Sequence, residues 1–279
     1  MKIGVLGSGI MGNGIAQVFA MSGYNVVLTD LKKEALHQAR IDMEQSLTKI
    51  SKKKENNIKP SDVLQSVVFT TDKEQLADSD IVIEAIIENM KAKTSVFREL
   101  DEICDSKTIL ASNTSSLAIT EIAAATNRPE KVCGIHFFNP VPLMKLVEII
   151  SAEQTSNEIV DRISKVIESV NKESIQVKDT PLFVVNRILV PMICEAIFVF
   201  EEGIATADDI DKGMKLGAGH PMGPLKLADI IGLDTLLYVQ KMLFQETGDS
   251  KYRVPKLLKK MVRAGNFGQK TGKGFYDYP

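Results

Sequence analysis

The chain has no tryptophan, only three histidines and three cysteines in 279 residues, and aromatics make up 6% of it. Cys104, Cys133 and Cys194 are odd in number and far apart, which excludes a disulfide framework and a zinc spacing and reads as buried reduced thiols. His37, His136 and His220 are equally scattered and none lies in an H-E-x-x-H arrangement, so no metal is expected. No apolar run reaches the length of a membrane span. The first strand is read from residue 2, so no leader is expected and the chain is expected in the cytoplasm. Net charge is lacking too: 34 basic against 36 acidic side chains leave −2, which gives no electrostatic case for nucleic acid. The remainder, 44% hydrophobic and 25% charged, is ordinary for a soluble chain, and the length suits one large domain or two average ones.

The most informative stretch follows the first apolar run. Lys2–Leu6 reads as a buried strand, Gly7-Ser8-Gly9-Ile10-Met11-Gly12 as G-x-G-x-x-G, and the residues from Ile15 on as a helix. Strand, glycine turn and helix in that order suit a dinucleotide pyrophosphate. Gly7 permits the tight turn, Gly9 lets the backbone approach phosphate, Gly12 lets helix and strand pack, and the helix start offers N–H groups to the anion. The alternative is a bare βαβ turn. A second strand, Asn25–Thr29, ends at Asp30, 18 residues past Gly12. An acid there suits the ribose hydroxyls and disfavours a 2′-phosphate, so NAD is expected over NADP.

Further strands are expected at 67–70, 81–84, 108–111 and 131–135, with two more candidates at 144–150 and 174–177. Their alternation with helical patterns predicts an α/β fold: a Rossmann-like, doubly wound, mostly parallel sheet with helices on both faces. Its carboxyl edge would hold residues 7–12, Asp30, 85–88, 112–115 and 136–139. Between Asp30 and Val67 lie 36 residues, more than one crossover helix needs. Leu36, Ala39, Met43, Leu47 and Ile50 fall at helical spacing, and Pro60 with Ser61 and Asp62 starts another helix. A hairpin over about 31–65, with Lys52, Lys53 and Lys54 near its tip, is either a solvated charge run or a grip on a phosphorylated substrate tail. Beyond about residue 179 the pattern turns helical, so 1–179 is expected as the nucleotide-binding domain and 180–279 as an all-helical one. A long helix over 183–202 containing Pro191, a helix capped by Thr206, and at least one more over 228–247 account for it. Its apolar surplus suits a subunit interface, with a homodimer as the simplest assembly.

Side chains at four places could carry chemistry. His136 closes an apolar strand at the cofactor edge and is either a proton-exchanging group or a satisfied loop histidine. Glu148 is a lone acid in an apolar strand and needs a partner unless it faces water; His136 could be that partner, its tautomer fixed by the carboxylate. Ser112, Asn113, Thr114, Ser115 and Ser116 could bond a substrate oxygen or the nicotinamide amide, or cap the helix beginning near Leu117. Asn186, within an apolar helix, is either a structural amide or a second grip on the substrate oxygen. Arg187 beside it reads as structural.

Seven blocks taken in order carry a resemblance: GSGIMGNGIAQ, IVIEAIIENMKAK, ASNTSSLAIT, GIHFFNPVPLMKLVEII, KDTPLFVVNRILVP, KLGAGHPMGPLKLADIIGLD and FGQKTGKGFYDY. From residue 2 to about 278 the chain resembles the short-chain L-3-hydroxyacyl-CoA dehydrogenases, the bacterial 3-hydroxybutyryl-CoA enzymes most of all. The resemblance implies NAD-dependent interconversion of an (S)-3-hydroxyacyl-CoA, such as 3-hydroxybutanoyl-CoA, and its 3-oxo form. It makes His136 the base and Glu148 its orienting acid, with Ser115 and Asn186 on the substrate's 3-oxygen. Glu88 and Lys93 would meet the ribose region of NAD, with Ala85 and Asn113 on the same edge and Asn139 on the nicotinamide side. Lys52 and Lys54 would meet coenzyme A, and the helical domain would dimerise. One departure stands out: Leu182 takes the glycine's place in the family's Thr-Pro-Gly-Phe, which bears on acyl chain length. Two rivals remain open, a sugar-acid dehydrogenase on this scaffold and a non-catalytic NAD-binding protein.

Overall fold

The computed structural model describes residues 1–53 and 59–279 and divides into two compact units, Met1–Thr180 and Pro181–Pro279. In the first, eight strands among the described residues form one sheet: β1 (Lys2–Leu6), β2 (Asn25–Thr29), β3 (Val67–Thr70), β4 (Ile81–Glu84), β5 (Ile109–Ser112), β6 (Val132–Phe137), β7 (Leu146–Ser151) and β8 (Glu173–Lys178). Their order is β3-β2-β1-β4-β5-β6-β7-β8, so the chain crosses over from one side of β1 to the other between β3 and β4. That reversal opens a crevice at the carboxyl ends, where ligands bind in such sheets. The helices are α1 (Ile10–Met21), α2 (Lys33–Lys53), α3 (Pro60–Gln65), α4 (Met90–Ile103), α5 (Ile119–Ala123) and α6 (Asn157–Ser169).

The apolar residues of β1, Ile3 and Val5, are fully buried together with Ile15 and Phe19 of α1. Full burial of each such side chain is worth about 2 kcal/mol, so the glycine turn between them is held by packing on both sides. In α2 the spacing read from the sequence is the buried face: Leu36, Ala39, Met43 and Leu47 are 0–6% exposed. Lys54 lies outside the described residues.

The sheet departs from the parallel reading at one place. β6 and β7 run antiparallel, with His136 opposite Glu148 and Phe137 opposite Val147. Eight residues, 138–145, join them, too few for a parallel crossover. That pairing also carries β6 to Phe137, two residues beyond the expected end, so His136 lies inside the strand.

The second unit holds α7 (Val185–Glu201), α8 (Ala207–Gly217), α9 (Pro224–Ile231), α10 (Leu233–Thr247) and α11 (Lys256–Arg263). Pro191 stands inside α7, and Thr206 caps α8 by accepting from the Asp209 N–H at 3.2 Å. The stretch 228–247, read as at least one helix, holds the end of α9 and all of α10, because Gly232 at φ +97° breaks the run between them. Leu182 and Phe183, just before α7, both have positive φ, +63° and +58°. The site of the family's glycine is therefore a left-handed position. Leucine there is strained by about 1–2 kcal/mol, but its side chain is 1% exposed against Leu243 and Tyr252. Burial of about that size or more offsets the strain.

Candidate active site

The glycine turn fits a dinucleotide for a reason that can be isolated. Gly7 needs glycine for its backbone, φ +102°, and because a Cβ would lie 2.5 Å from the Ala85 carbonyl oxygen. At Gly12 a Cβ would lie 1.8 Å from the Gly7 oxygen. Gly9 has neither excuse: its φ of −63° suits any residue, and a Cβ there would meet nothing within 4 Å. The protein's own packing does not require glycine at 9, and the bare backbone there leaves room for a group to approach. Gly9 is also the N-cap of α1 and brings no capping side chain to its N–H groups. Ile10 beside it is 79% exposed and Met11 half-buried.

Asp30 ends β2 at the same edge. Its Oδ2 accepts from the Ser8 N–H at 2.8 Å and the Ser8 hydroxyl at 2.9 Å, and its Oδ1 from the Lys32 N–H at 3.2 Å. Burial alone would raise this carboxyl, but the bonds from Ser8 and Lys32 outweigh it and hold the group below the ordinary aspartate value. It is a fixed anion tied to the turn.

After β4, a buried charge network shapes the next stretch of edge. Glu84, 0% exposed, accepts from the Ile86 N–H and the Lys93 ammonium at 2.7 Å each and from the Ser112 hydroxyl at 2.7 Å. Lys93, 1% exposed, also faces Glu88 at 3.4 Å. Its ammonium is therefore enclosed between two carboxylates and backs Glu88. One oxygen of Glu88 gathers the Thr114 hydroxyl at 2.6 Å, the Ser115 N–H at 3.0 Å and the Ser116 hydroxyl at 3.0 Å, with the Ser115 hydroxyl at 3.4 Å. Burial would raise the Glu88 carboxyl; the Lys93 charge and these donors hold it below the ordinary value instead. The serines do not cap α5, whose N-cap is Ala118 without a side-chain bond. They fold around Glu88, which sets where Ser115 stands.

Glu84 was not singled out from the sequence, and Ser112 and Thr114 were read as facing a ligand or capping a helix, not as bonding Glu84 and Glu88. The signal was present: an acid in the buried run Ile81–Glu84 needs a partner by the argument applied to Glu148, and Ser112 is its register neighbour on β5. Asn113 turns its side-chain oxygen to the Phe137 N–H at 2.9 Å, joining the β5 and β6 ends. Asn139 is exposed at the end of that edge.

His136 and Glu148 meet across the antiparallel pair. The histidine Nδ1 lies 2.7 Å from Glu148 Oε2, with His136 5% and Glu148 0% exposed. The alternative of a water-facing Glu148 is excluded. The His136 ring also lies against Phe138, centroids 4.5 Å apart. A carboxylate at Nδ1 sets the tautomer and the ring orientation.

On the outer side of the 138–145 connection, a groove of about 460 Å³ runs between α2 and that connection. Asp42, Ser46, Lys49 and Ile50 line one wall; Pro140, Pro142 and Leu143 line the other. Lys52 is exposed one turn further along α2. In the C-terminal unit, Asn186 is the second residue of α7 and is half-buried. The Arg187 guanidinium lies over the Tyr252 ring, 5.4 Å from its centroid. Cys104, Cys133 and Cys194 are buried thiols, pushed by burial up to about 11, 12 and 12 and so unreactive. Among the described residues no group of three or more candidate ligands could hold a metal, and no helix is long and apolar enough to cross a membrane.

A switch-point crevice with an open glycine turn, an acid tied to it at the end of β2 and a carboxylate-backed imidazole has the layout of a nucleotide-dependent dehydrogenase. Residues 2–180 match the NAD-binding domain of 3-hydroxyacyl-CoA dehydrogenase, and 183–278 match its C-terminal domain. The 3-hydroxybutyryl-CoA dehydrogenase of Clostridioides difficile is 50% identical over 279 residues, covering 100% of this chain and 99% of that one. The human mitochondrial hydroxyacyl-coenzyme A dehydrogenase is 44% identical over 98% of this chain and 90% of its own. The crystal structure of (S)-3-hydroxybutyryl-CoA dehydrogenase PaaH1 from Ralstonia eutropha superposes with a TM-score of 0.96 at 45% identity, covering 100% and 99% of the two chains. The chain belongs to the 3-hydroxyacyl-CoA dehydrogenase family, and its cofactor is NAD.

Proposed function

We propose that this enzyme interconverts (S)-3-hydroxybutanoyl-CoA and acetoacetyl-CoA, with His136 as the general acid and base. The 2.7 Å pairing of His136 with buried Glu148 at the carboxyl edge carries the reading. NAD, when bound, supplies the hydride acceptor or donor. In oxidation His136 Nε2 takes the proton of the 3-hydroxyl as its carbon gives up hydride and the C–O bond becomes C=O. In reduction the imidazolium returns that proton to the oxygen as charge grows there. Glu148 stabilises the imidazolium and fixes the ring. Ser115, held by Glu88, donates to the 3-oxygen and so orients the carbon for transfer. Asn186 is assigned the second donor on the family resemblance.

Gly7, Gly9, Ile10, Met11 and Gly12 are assigned to the pyrophosphate, and Asp30 to the adenosine ribose. Ala85, Glu88, Asn113 and Asn139 are assigned to the nicotinamide half, with Lys93 acting through Glu88. The groove between α2 and residues 140–143 is assigned to coenzyme A, with Lys49 and Lys52 near its phosphates. A homodimer through the C-terminal unit is supported by the exposure of Ile188, Tyr238 and Phe244, 67%, 47% and 40%. The three unpaired thiols support a cytoplasmic enzyme. The test is NADH oxidation with acetoacetyl-CoA against free acetoacetate. Turnover of the thioester alone is expected; equal turnover of both, or of a sugar acid in preference, overturns the assignment.

A further inference from the structure

Lys172 stands just before β8 and is 7% exposed. Its ammonium donates to the carbonyl oxygens of Val141 at 2.7 Å and Met144 at 2.6 Å. No carboxylate pairs with it among the described residues, and burial pulls it below the ordinary lysine range. Setting a cation on two neutral carbonyls away from water is unfavourable by itself. An apolar side chain would fill the place at less cost in desolvation, so what the ammonium holds is the informative part.

It holds the two ends of a turn. The N–H groups of Leu143 and Met144 both donate to the Pro140 oxygen, at 2.9 and 3.0 Å. Lys172 ties Val141 and Met144 from within, and Val141 itself, 2% exposed, lies against Gly14 of α1, where a Cβ would sit 2.8 Å from Val141 Cβ. The outward residues of the same turn, Pro140, Pro142 and Leu143, are one wall of the groove facing α2. The pairing of β6 with β7 has its own ladder through Phe137 and Val147, so His136 and Glu148 do not depend on Lys172.

We propose that Lys172 is a positioning residue for the nucleotide-bearing tail of the substrate: by clamping both ends of the 140–144 turn it fixes the groove wall against α2. The proposal rests on the assignment of that groove to coenzyme A. Its signature is a loss of binding for a full thioester with the chemistry intact.

The experiment is steady-state kinetics of Lys172→Met, Lys172→Arg and Lys49→Ala with acetoacetyl-CoA and with acetoacetyl-N-acetylcysteamine, which lacks the nucleotide. For Lys172→Met the KM of the CoA thioester is expected to rise about tenfold, a modest effect for a misplaced binding wall. Its kcat should stay within about twofold, and the KM of the short thioester should not change. An equal rise for both thioesters, a fall in kcat alone, or no change overturns the proposal. If Lys172→Met does not fold, Lys172→Arg decides: its longer, forked head displaces the turn, and an unaltered ratio of the two KM values overturns the proposal. Lys49→Ala separates the two layers. A raised ratio there with none at Lys172 removes only the positioning role; no raised ratio there removes the groove assignment.

Discussion

Two buried carboxylates, one in each unit, are equally secluded and are used in opposite ways. Glu148 is 0% exposed and Asp229 is 1%. Glu148 faces an imidazole nitrogen. Asp229 accepts from the Phe275 and Tyr276 N–H groups at 3.0 Å each and from the Tyr278 hydroxyl at 3.0 Å. Around it the C-terminal segment is pressed so close that a Cβ on Gly274 would lie 2.0 Å from its Oδ1. Asp211 repeats the pattern, accepting from Leu225 and Lys226 at the start of α9 and from the Tyr276 hydroxyl. None of those donors changes charge near neutral pH, and bonding to the aspartates with burial pushes both tyrosines further up. Histidine does change charge there. Burial therefore does not separate the two carboxylates; a partner able to exchange a proton does.

His136→Gln gives the largest expected effect and the sharpest test of that contrast. Its kcat should fall about 10³-fold, the middle of the range for a general acid and base, while NAD affinity and melting temperature hold. Asp229→Ala should do the reverse. It strands two N–H groups and a hydroxyl, for about 3 kcal/mol of lost stability, with kcat of the folded fraction intact. Calorimetry beside kinetics checks both. A stable, slow Asp229→Ala or an unfolded His136→Gln would break the comparison. Glu148→Gln comes next: the ring keeps a neighbour but the imidazolium loses its counter-charge, so kcat should fall about 10- to 100-fold. A drop as deep as that of His136→Gln would mean the pair acts only as a unit. Asp30→Ala should weaken NAD binding about tenfold, the scale of one lost charge-assisted bond, measured by NADH fluorescence titration.

The contrast also explains what could be read without coordinates. The first four strands were legible residue for residue because short apolar runs bounded by turn residues leave little choice of register. The glycine turn and Asp30 followed from motif and spacing, and the pairing of His136 with Glu148 from an acid in an apolar strand that needs a partner. The network under Ser115 did not. Glu84 ends an apolar strand and Lys93 lies within α4, and nothing local in sequence says that they meet; the parallel pairing of β4 with β5 brings Ser112 in as well. Lys172 was hidden for the same reason, since its partners are backbone carbonyls some 28 to 31 residues away. Leu182 was visible only as an exception, and its meaning needed the backbone angle.

The smallest expected effect concerns Glu88, which stands between the two kinds of buried acid. Like Asp229 it gathers neutral donors; like Glu148 it faces a titratable side chain, Lys93. Its folded-state carboxyl lies below the ordinary glutamate value of 4.5, since the Lys93 charge and the 114–116 donors outweigh the effect of burial. A depressed acid contributes stability that is present above the unfolded value and is lost as pH falls through the folded one. From pH 7 to about 5 that contribution is therefore flat. Glu88→Gln keeps an acceptor but no charge, so it should lower stability by on the order of 1 kcal/mol across that range, and the gap to the unaltered protein should close in more acid solution. Thermal melts of the two proteins from pH 7 to 3.5 measure it. A gap that widens in acid would mean that Glu88 is held neutral, and Ser115 would then be placed by a hydrogen-bonded network without a charge at its centre.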